Sequence, residues 1–194
     1  MMDSLTLGHP HAGTPAPHPG PCGHLVQFYS DQNRLLDTLE AFIASGLTGG
    51  EAVIAIATPQ HLHALESRLQ ARGIDLVAAR NDNLYLPCGA QDAMDRFIDD
   101  GMPDAERFHA FLASTLARAR GPGRRVRAFG EMVAVLWAAG HRNGAIELER
   151  LWSQVCARGQ LTLLCAYPSA GFGRDDDAAL ECVRALHTGE TPGG

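Results

Sequence analysis

The stretch AVIAIATPQH, residues 52–61, joins a short apolar run to a helix start. Residues 52–57 are all apolar and rich in β-branched side chains, which is typical of a strand covered on both faces. Thr58 is a favourable N-cap residue, and Pro59 suits the first helical position because its φ is already helical. The stretch therefore predicts a buried strand that leads directly into a helix, the repeating unit of an α/β protein.

The same alternation continues on both sides of this stretch. Apolar runs predict further strands at residues 24–28, 83–86, 124–129 and 161–167. Apolar spacing and cap residues predict helices at 33–47, 58–72, 91–100, 104–120, 132–137, 145–158 and 177–187. Together they predict one α/β domain with a mainly parallel sheet of about five strands and helices on both faces.

The composition excludes several classes of protein. No run of apolar residues is long enough to span a membrane, and the N-terminus does not resemble a signal peptide. A net charge of -6 argues against a nucleic-acid surface. The five Cys are odd in number and scattered, which favours reduced thiols and a cytoplasmic protein.

The ends of the chain have a different composition from the middle. Residues 1–22 are rich in Pro and His and lack apolar periodicity, so we expect a disordered segment there and a flexible tail at 189–194. A metal site formed by the histidines of this first segment with Cys22 and His24 is disfavoured by their irregular spacing and by the surrounding prolines.

The chain contains no Lys, since all 16 basic residues are Arg. A phosphate-binding loop of the Walker type is therefore excluded, because it requires a Lys to reach the β- and γ-phosphates. Schiff-base chemistry is excluded for the same reason. The glycine pattern of dinucleotide-binding domains and the serine elbow of α/β-hydrolases are also missing, so we expect no cofactor.

The carboxyl ends of the predicted strands should form one rim, where parallel sheets bind ligands. Glu131 follows the fourth of these strands, in the first turn of a helix. It could complement the helix dipole, pair with Arg127, or contact a ligand. The ligand reading predicts a pocket formed by Tyr29, Thr58, His61, Arg127, Phe129, Glu131 and Tyr167.

An enzymatic reading is the alternative. It would use Glu131 together with His24 or Cys165, although a Cys in the middle of an apolar strand is usually an inert buried thiol. The two Trp residues, Trp137 and Trp152, are expected in the core.

A family resemblance favours the ligand-binding reading. The segments HLVQFY, GLTGGEAVIAIATPQH, DDGMPDAERF, VRAFGEMVAVLWAAG, LERLW and LLCAYP occur in the order found in the MEDS domain. This sensory domain was first noted in methanogen and methylotroph regulators, including the dichloromethane-responsive repressor. The resemblance covers about residues 24–187 and indicates a domain at 23–188.

The resemblance implies a RecA-type α/β fold without its phosphate loop, with YSDQNRLL in the place of that loop. It also implies binding of small molecules, proposed to be hydrocarbon derivatives, and signalling through a protein partner such as a kinase or a transcription regulator. No direct contact with nucleic acid or membrane is expected.

Two features distinguish this chain from the family pattern. Where the family usually has Leu-Asp-Ala, this chain has Cys88-Gly89-Ala90, which puts the family's ligand specificity in question. The sequence also ends shortly after His187, so we expect a free-standing sensor or an accessory protein.

Overall fold

The computed structural model describes residues 23–191, apart from residues 120, 122 and 160. The segment 1–22, which the sequence predicts to be disordered, and residues 192–194 lie outside this description. Within the described part, no helix combines the length and the apolar character needed to cross a membrane.

In the described residues, six strands form one parallel sheet. These strands are β1 His24–Tyr29, β2 Ala52–Ala57, β3 Tyr85–Gly89, β6 Val126–Gly130, β7 Thr162–Pro168 and β8 Gly189–Glu190. Their order across the sheet is β3-β2-β6-β7-β1-β8. Two further short strands, β4 Ile98–Asp99 and β5 Met102–Pro103, form a separate antiparallel hairpin.

Helices cover both faces of the sheet. They are α1 Gln32–Thr48, α2 Pro59–Ala71, α3 Leu76–Asn81, α4 Ala90–Met94, α5 Ala105–Ala119, α6 Met132–Ala138, α7 Arg142–Ala157 and α8 Asp177–Leu186. The helices α1, α2 and α3 share one apolar core with the sheet, and α4 to α8 share the other. Strand β2 contributes Val53 and Ala55 to the first core and Ile54 and Ile56 to the second. This arrangement confirms the predicted fold class and is consistent with a Rossmann or RecA-like fold.

Three elements differ from the sequence prediction. The sheet has a sixth strand because Gly189 and Glu190 pair with Leu25 and Val26 in the segment predicted as a tail. The short helix α3 was not predicted, although Asp75 caps its N-terminus by accepting a hydrogen bond from the Ala78 N–H.

The helix predicted at residues 91–100 is wrong in its second half. Helix α4 ends at Met94, and the chain then forms the β4–β5 hairpin. The two loop residues of this hairpin, Asp100 and Gly101, have φ angles of 44° and 75°. Positive φ at both positions is the geometry that an Asp-Gly pair favours in a tight hairpin turn.

The connection between β1 and α1 consists of Ser30 and Asp31 alone. The Asp31 carboxylate accepts a hydrogen bond from the Asn33 N–H and so caps α1. In a phosphate-binding loop this position would hold backbone N–H groups around an anion. Here a negative charge already occupies it, in agreement with the missing Lys.

Candidate functional site

Glu131 lies at the carboxyl rim of the sheet, between β6 and α6. Its backbone N–H donates to the Ile56 carbonyl, which extends the pairing of β6 with β2 by one residue. This bond holds Glu131 beside the start of α2. The Glu131 side chain is almost completely buried, with 5% of the residue exposed.

Both oxygens of the Glu131 carboxylate accept hydrogen bonds from the β2–α2 segment. Oε1 lies 2.6 Å from His61 Nδ1, and Oε2 accepts the Thr58 N–H at 2.8 Å. Thr58 is the N-cap of α2, as predicted, and its hydroxyl accepts the His61 N–H. Glu131 makes no side-chain cap bond to its own helix α6. It therefore joins two segments of the rim and does not serve as a simple helix cap.

The Glu131 carboxylate changes the protonation and fixes the orientation of His61. The hydrogen bond to Glu131 raises the pKa of His61 above its ordinary value of 6.5, and burial, which lowers the pKa, does not cancel that effect. The other ring nitrogen, Nε2, is buried and has no hydrogen-bond partner among the described residues. The ring thus presents one unused polar atom while Glu131 fixes its orientation.

Tyr29 ends β1 and lies near the same carboxylate. Burial raises the pKa of its hydroxyl to about 12, and the negative charge of Glu131 adds to this effect. The hydroxyl therefore stays protonated at neutral pH. Tyr29, Thr58, His61 and Glu131 are the sequence-predicted residues that the structure brings together.

Arg127 is not part of this group, so the alternative in which Arg127 pairs with Glu131 is wrong. The Arg127 guanidinium forms an ion pair with Glu51 and donates hydrogen bonds to the Phe42 carbonyl at 2.8 Å and to Ser45 Oγ at 2.9 Å. These partners surround the start of β6, whereas Glu131 follows its end. Arg127 shares a strand face with Phe129, but its long side chain extends away from the rim.

Tyr167 does not share one pocket with Tyr29. Phe129 is fully buried in the core under α1 and α2, the same core that contains Tyr29. Tyr167 lies in the opposite core and donates a hydrogen bond to Glu149 Oε1 at 2.8 Å. In the parallel register Tyr167 pairs with Phe28, the neighbour of Tyr29, and consecutive residues of a strand point to opposite faces. The prediction of a single pocket overlooked this alternation.

A second group of polar side chains surrounds Glu149, which is completely buried. The His24 Nε2 lies 3.1 Å and the His187 Nε2 lies 3.4 Å from Glu149 Oε2. Cys165 Sγ lies 3.4 Å from the same oxygen and 3.5 Å from His24 Nε2. Burial opposes ionisation of Glu149, but the effect of the two nearby imidazoles outweighs it and lowers the pKa of Glu149 to about 2.

The enzymatic alternative, which combined Glu131 with His24 or Cys165, is contradicted because both of these residues belong to the second group. His24 begins β1, about 16 Å along the strand from the rim residue Tyr29. Burial, reinforced by the charge of Glu149, also raises the pKa of the Cys165 thiol well above its ordinary value. A thiol of that kind is a poor nucleophile. The catalytic set proposed from the sequence is not assembled.

Sequence reasoning missed Glu149 and His187. Glu149 was detectable, because it falls on the apolar face of α7 between Leu148 and Trp152, where a carboxylate is unusual unless it has partners. His187 follows the end of α8 and carries no pattern of its own. The two Trp residues are buried as predicted.

The departure at Cys88-Gly89-Ala90 also lies at the rim. Gly89 ends β3 and pairs with Ala57, directly before Thr58. A Cβ atom at residue 89 would lie 2.6 Å from Asp92 Oδ2. The space of a residue-89 side chain is therefore taken by the Asp92 carboxylate.

Comparison with protein families gives one match, to the methanogen/methylotroph DcmR sensory domain, MEDS, over residues 23–188. A search of curated proteins finds no match.

Proposed function

Because the chain belongs to the MEDS family of sensory domains, we propose that it binds a small organic molecule at the rim residues Tyr29, Thr58, His61 and Glu131. Occupancy of this site is passed to a protein partner, such as a kinase or a transcription regulator. The family supports the sensory role, and the geometry of the rim supports the choice of site.

The observation that carries the proposal is the unused Nε2 of His61. A buried polar atom without a partner costs about 1–3 kcal/mol, so native structures retain few of them. Glu131 accepts hydrogen bonds from the Thr58 N–H and from His61 Nδ1, and these bonds hold the His61 ring in place. Only Nε2 of the ring is then free to bond to a ligand. A ligand atom that bonds to Nε2 recovers the lost hydrogen bond. This explains why such an arrangement is kept at the rim where parallel sheets bind ligands.

The same contacts indicate which molecules fit. With its pKa raised, His61 presents an N–H donor when protonated, so the ligand should carry an acceptor such as a hydroxyl, a carbonyl or a halogen. The buried Tyr29 ring supplies an apolar surface for a short carbon skeleton. A small hydrocarbon derivative with one polar end meets both requirements.

The site connects segments that a ligand can move relative to each other. Glu131 begins α6, and His61 lies in the first turn of α2. These helices cover opposite faces of the sheet. A ligand that binds His61 changes the Glu131–His61 contact and thus the relative position of α2 and α6, which gives a partner a surface to read.

A thermal-shift screen of the full chain against small alcohols, ketones, amines and halocarbons tests the proposal. Specific ligands raise the melting temperature, and calorimetry then measures their dissociation constants. The Glu131→Gln variant should lose affinity about tenfold or more, since it loses the charge that orients His61. A dissociation constant equal to that of the wild type would contradict the proposed site.

Glu51→Gln is the matched control. Glu51 is also a buried carboxylate, with 7% of the residue exposed, but it pairs with Arg125 and Arg127 at the opposite end of the sheet. This variant should lose stability and keep the wild-type affinity. Equal losses of affinity in both variants would indicate a general loss of structure.

A further inference from the structure

Glu149 and three side chains around it direct metal-ligating atoms at a common point. These atoms are His24 Nε2, Glu149 Oε2, Cys165 Sγ and His187 Nε2, and all lie within 4.8 Å of one another. The side chains of His24 and His187 are 1% exposed, and that of Glu149 is 0% exposed. The group lies in the core opposite α1 and α2 and is separate from the proposed ligand site.

Hydrogen bonds alone do not account for this arrangement. His24 Nδ1 lies 3.0 Å from the Leu186 carbonyl, and His187 Nδ1 lies 2.6 Å from the Val183 carbonyl. Since a carbonyl can only accept, each Nδ1 carries a proton. In a neutral imidazole each Nε2 then carries a lone pair and cannot donate to Glu149, although His24 Nε2 can accept the Cys165 thiol proton at 3.5 Å. His187 Nε2 indeed has no hydrogen-bond partner among the described residues, although it is buried.

The two rings also lie close together. The centroids of the His24 and His187 rings are only 3.8 Å apart, so both Nε2 atoms face the same small volume beside Glu149. A cation at the common point would accept lone pairs from all four groups at once.

Four of the six distances among the ligating atoms are close to those of a tetrahedral metal site. Zinc ligands at about 2.0–2.1 Å for nitrogen and oxygen and 2.3 Å for sulfur are separated from one another by about 3.3–3.6 Å. The observed separations from Glu149 Oε2 are 3.1 Å to His24 and 3.4 Å to His187 and to Cys165. The fourth, from Cys165 Sγ to His24 Nε2, is 3.5 Å.

Hydrogen bonds behind the four side chains orient them, as such bonds do for the metal ligands of zinc proteins. Each imidazole is oriented by a backbone carbonyl at Nδ1, and the Tyr167 hydroxyl donates to Glu149 Oε1, which leaves Oε2 directed at the common point. His24 also borders a surface groove of about 270 Å³, lined further by Gly23, Ser153, Cys156, Ala157, Gly159 and Thr188. This groove brings solvent close to one of the four ligands.

We propose that His24, Glu149, Cys165 and His187 bind one Zn²⁺ ion. On binding, the ion releases its water ligands and Cys165 loses its thiol proton to solvent. Two neutral imidazoles, one carboxylate and one thiolate then balance the charge of the ion, so the buried site is neutral. Nitrogen and sulfur ligands of this kind select zinc over magnesium and calcium.

The bound ion would connect the two ends of the folded domain. His24 begins β1, Cys165 lies in the middle of β7, Glu149 belongs to α7 and His187 follows α8. Binding of zinc would therefore fix α8 and the adjacent strand β8 against the sheet. With all four positions filled by protein, the site fits a structural ion and leaves none open for catalysis.

Metal uptake by the full chain tests this proposal. The protein is treated with a chelator, dialysed, and titrated with Co²⁺ and with Zn²⁺ in separate experiments. We expect one ion per chain, the intense visible bands of four-coordinate cobalt, and a thiolate-to-cobalt charge-transfer band that Zn²⁺ abolishes. A chain that binds no ion, or whose cobalt spectrum lacks the thiolate band, overturns the proposal.

Variants assign the ligands. Cys165→Ser should abolish the charge-transfer band, whereas Cys182→Ser, which changes a half-buried thiol of α8 outside the group, should retain it. Should Cys165→Ser fail to fold, Tyr167→Phe keeps all four ligands and should bind zinc about 10- to 100-fold more weakly. Wild-type affinity in Tyr167→Phe, or a band that persists in folded Cys165→Ser, would refute the assignment.

The histidines near the N-terminus need a control of their own. His9, His11 and His18 are replaced together by Gln in the full chain. We expect this variant to bind one ion per chain and to give the same cobalt spectrum as the wild type. Loss of the bound ion in this variant would move the site to the N-terminal segment and overturn the proposal.

Discussion

The hydrogen bond between His61 and Glu131 should make stability depend on pH. The pKa of His61 is raised in the folded protein, so its contribution is fully present below the unfolded value of about 6.5 and is lost as pH rises through the folded pKa. A hydrogen bond to a charged group contributes about 1.5–3 kcal/mol. Urea unfolding should therefore show His61→Gln destabilised by about that amount near pH 6, and much less in alkaline buffer.

The exposed neighbour His63 provides the control. His63→Gln should follow the wild-type stability at every pH. A constant difference between His61→Gln and wild type across the pH range would show that the ring contributes by packing and not by its charge.

Four of the seven site residues predicted from the sequence, Tyr29, Thr58, His61 and Glu131, lie together at the rim. Thr58 and Glu131 could be placed at the rim because each follows a strand end, and rim positions of parallel strands converge. Tyr167 could not be placed, since a shift of one residue in a strand changes the face of the sheet. Arg127 was misplaced because sequence spacing does not show which way a long side chain extends.

The β1–α1 connection predicts weak binding of nucleoside triphosphates. It has two residues, lacks Lys, and carries the Asp31 carboxylate at the N-terminus of α1, where a phosphate would be repelled. Calorimetry with ATP and magnesium should detect no binding. A micromolar dissociation constant would contradict this interpretation of the fold.

The contact between α7 and the β4–β5 hairpin depends on a glycine, Gly144, which has no side chain. A Cβ atom at Gly144 would lie 1.8 Å from the Gly101 carbonyl oxygen, so α7 and the hairpin turn approach backbone to backbone. Gly144→Ala should force them apart and lower the free energy of unfolding by about 1–3 kcal/mol or more.

Denaturant titration measures this effect, with Asn143→Ala as the control at the adjacent exposed position of α7. The control should leave stability within about 0.5 kcal/mol of wild type. Equal stability of both variants would mean that the hairpin does not pack as described.

The sequence predicted the elements that carry a long apolar pattern. It missed those whose conformation is determined by strand pairing or by a turn. The apolar run of β2 and the helical spacing of α1 and α7 indicate their structures without tertiary information. Strand β8 has only two residues, and its pairing with β1 decides its conformation. The β4–β5 hairpin carried a usable Asp-Gly signal, which the apolar spacing of the preceding residues obscured.

For the whole molecule, the first 20 residues should be dispensable for stability. Their composition lacks the apolar surface that would offset an ordering entropy of about 1–2 kcal/mol per residue. A chain that starts at Pro21 should unfold at the same denaturant concentration as the full chain. A clear loss of stability would show that this segment packs on the domain.

Two of the buried carboxylates, Glu131 and Glu149, belong to the two proposed sites, which lie in different parts of the molecule. Glu131 serves the rim, where β2 and β6 end, and Glu149 serves the opposite core, where β1 and β7 meet α7 and α8. Their hydrogen-bond partners do not overlap. Changes at Glu149 should therefore act on metal binding and stability, and changes at Glu131 on ligand binding.

The most direct test of the ligand site is the nuclear magnetic resonance spectrum of His61 in ¹⁵N-histidine-labelled protein. The strongest binder from the thermal-shift screen is titrated to saturation, with His61→Gln used to assign the signals. We predict that the Nε2 resonance of His61 shifts with the occupancy measured by calorimetry, and that the resonances of His63 do not. Saturation of the protein with no change in the His61 ring nitrogens would contradict the account.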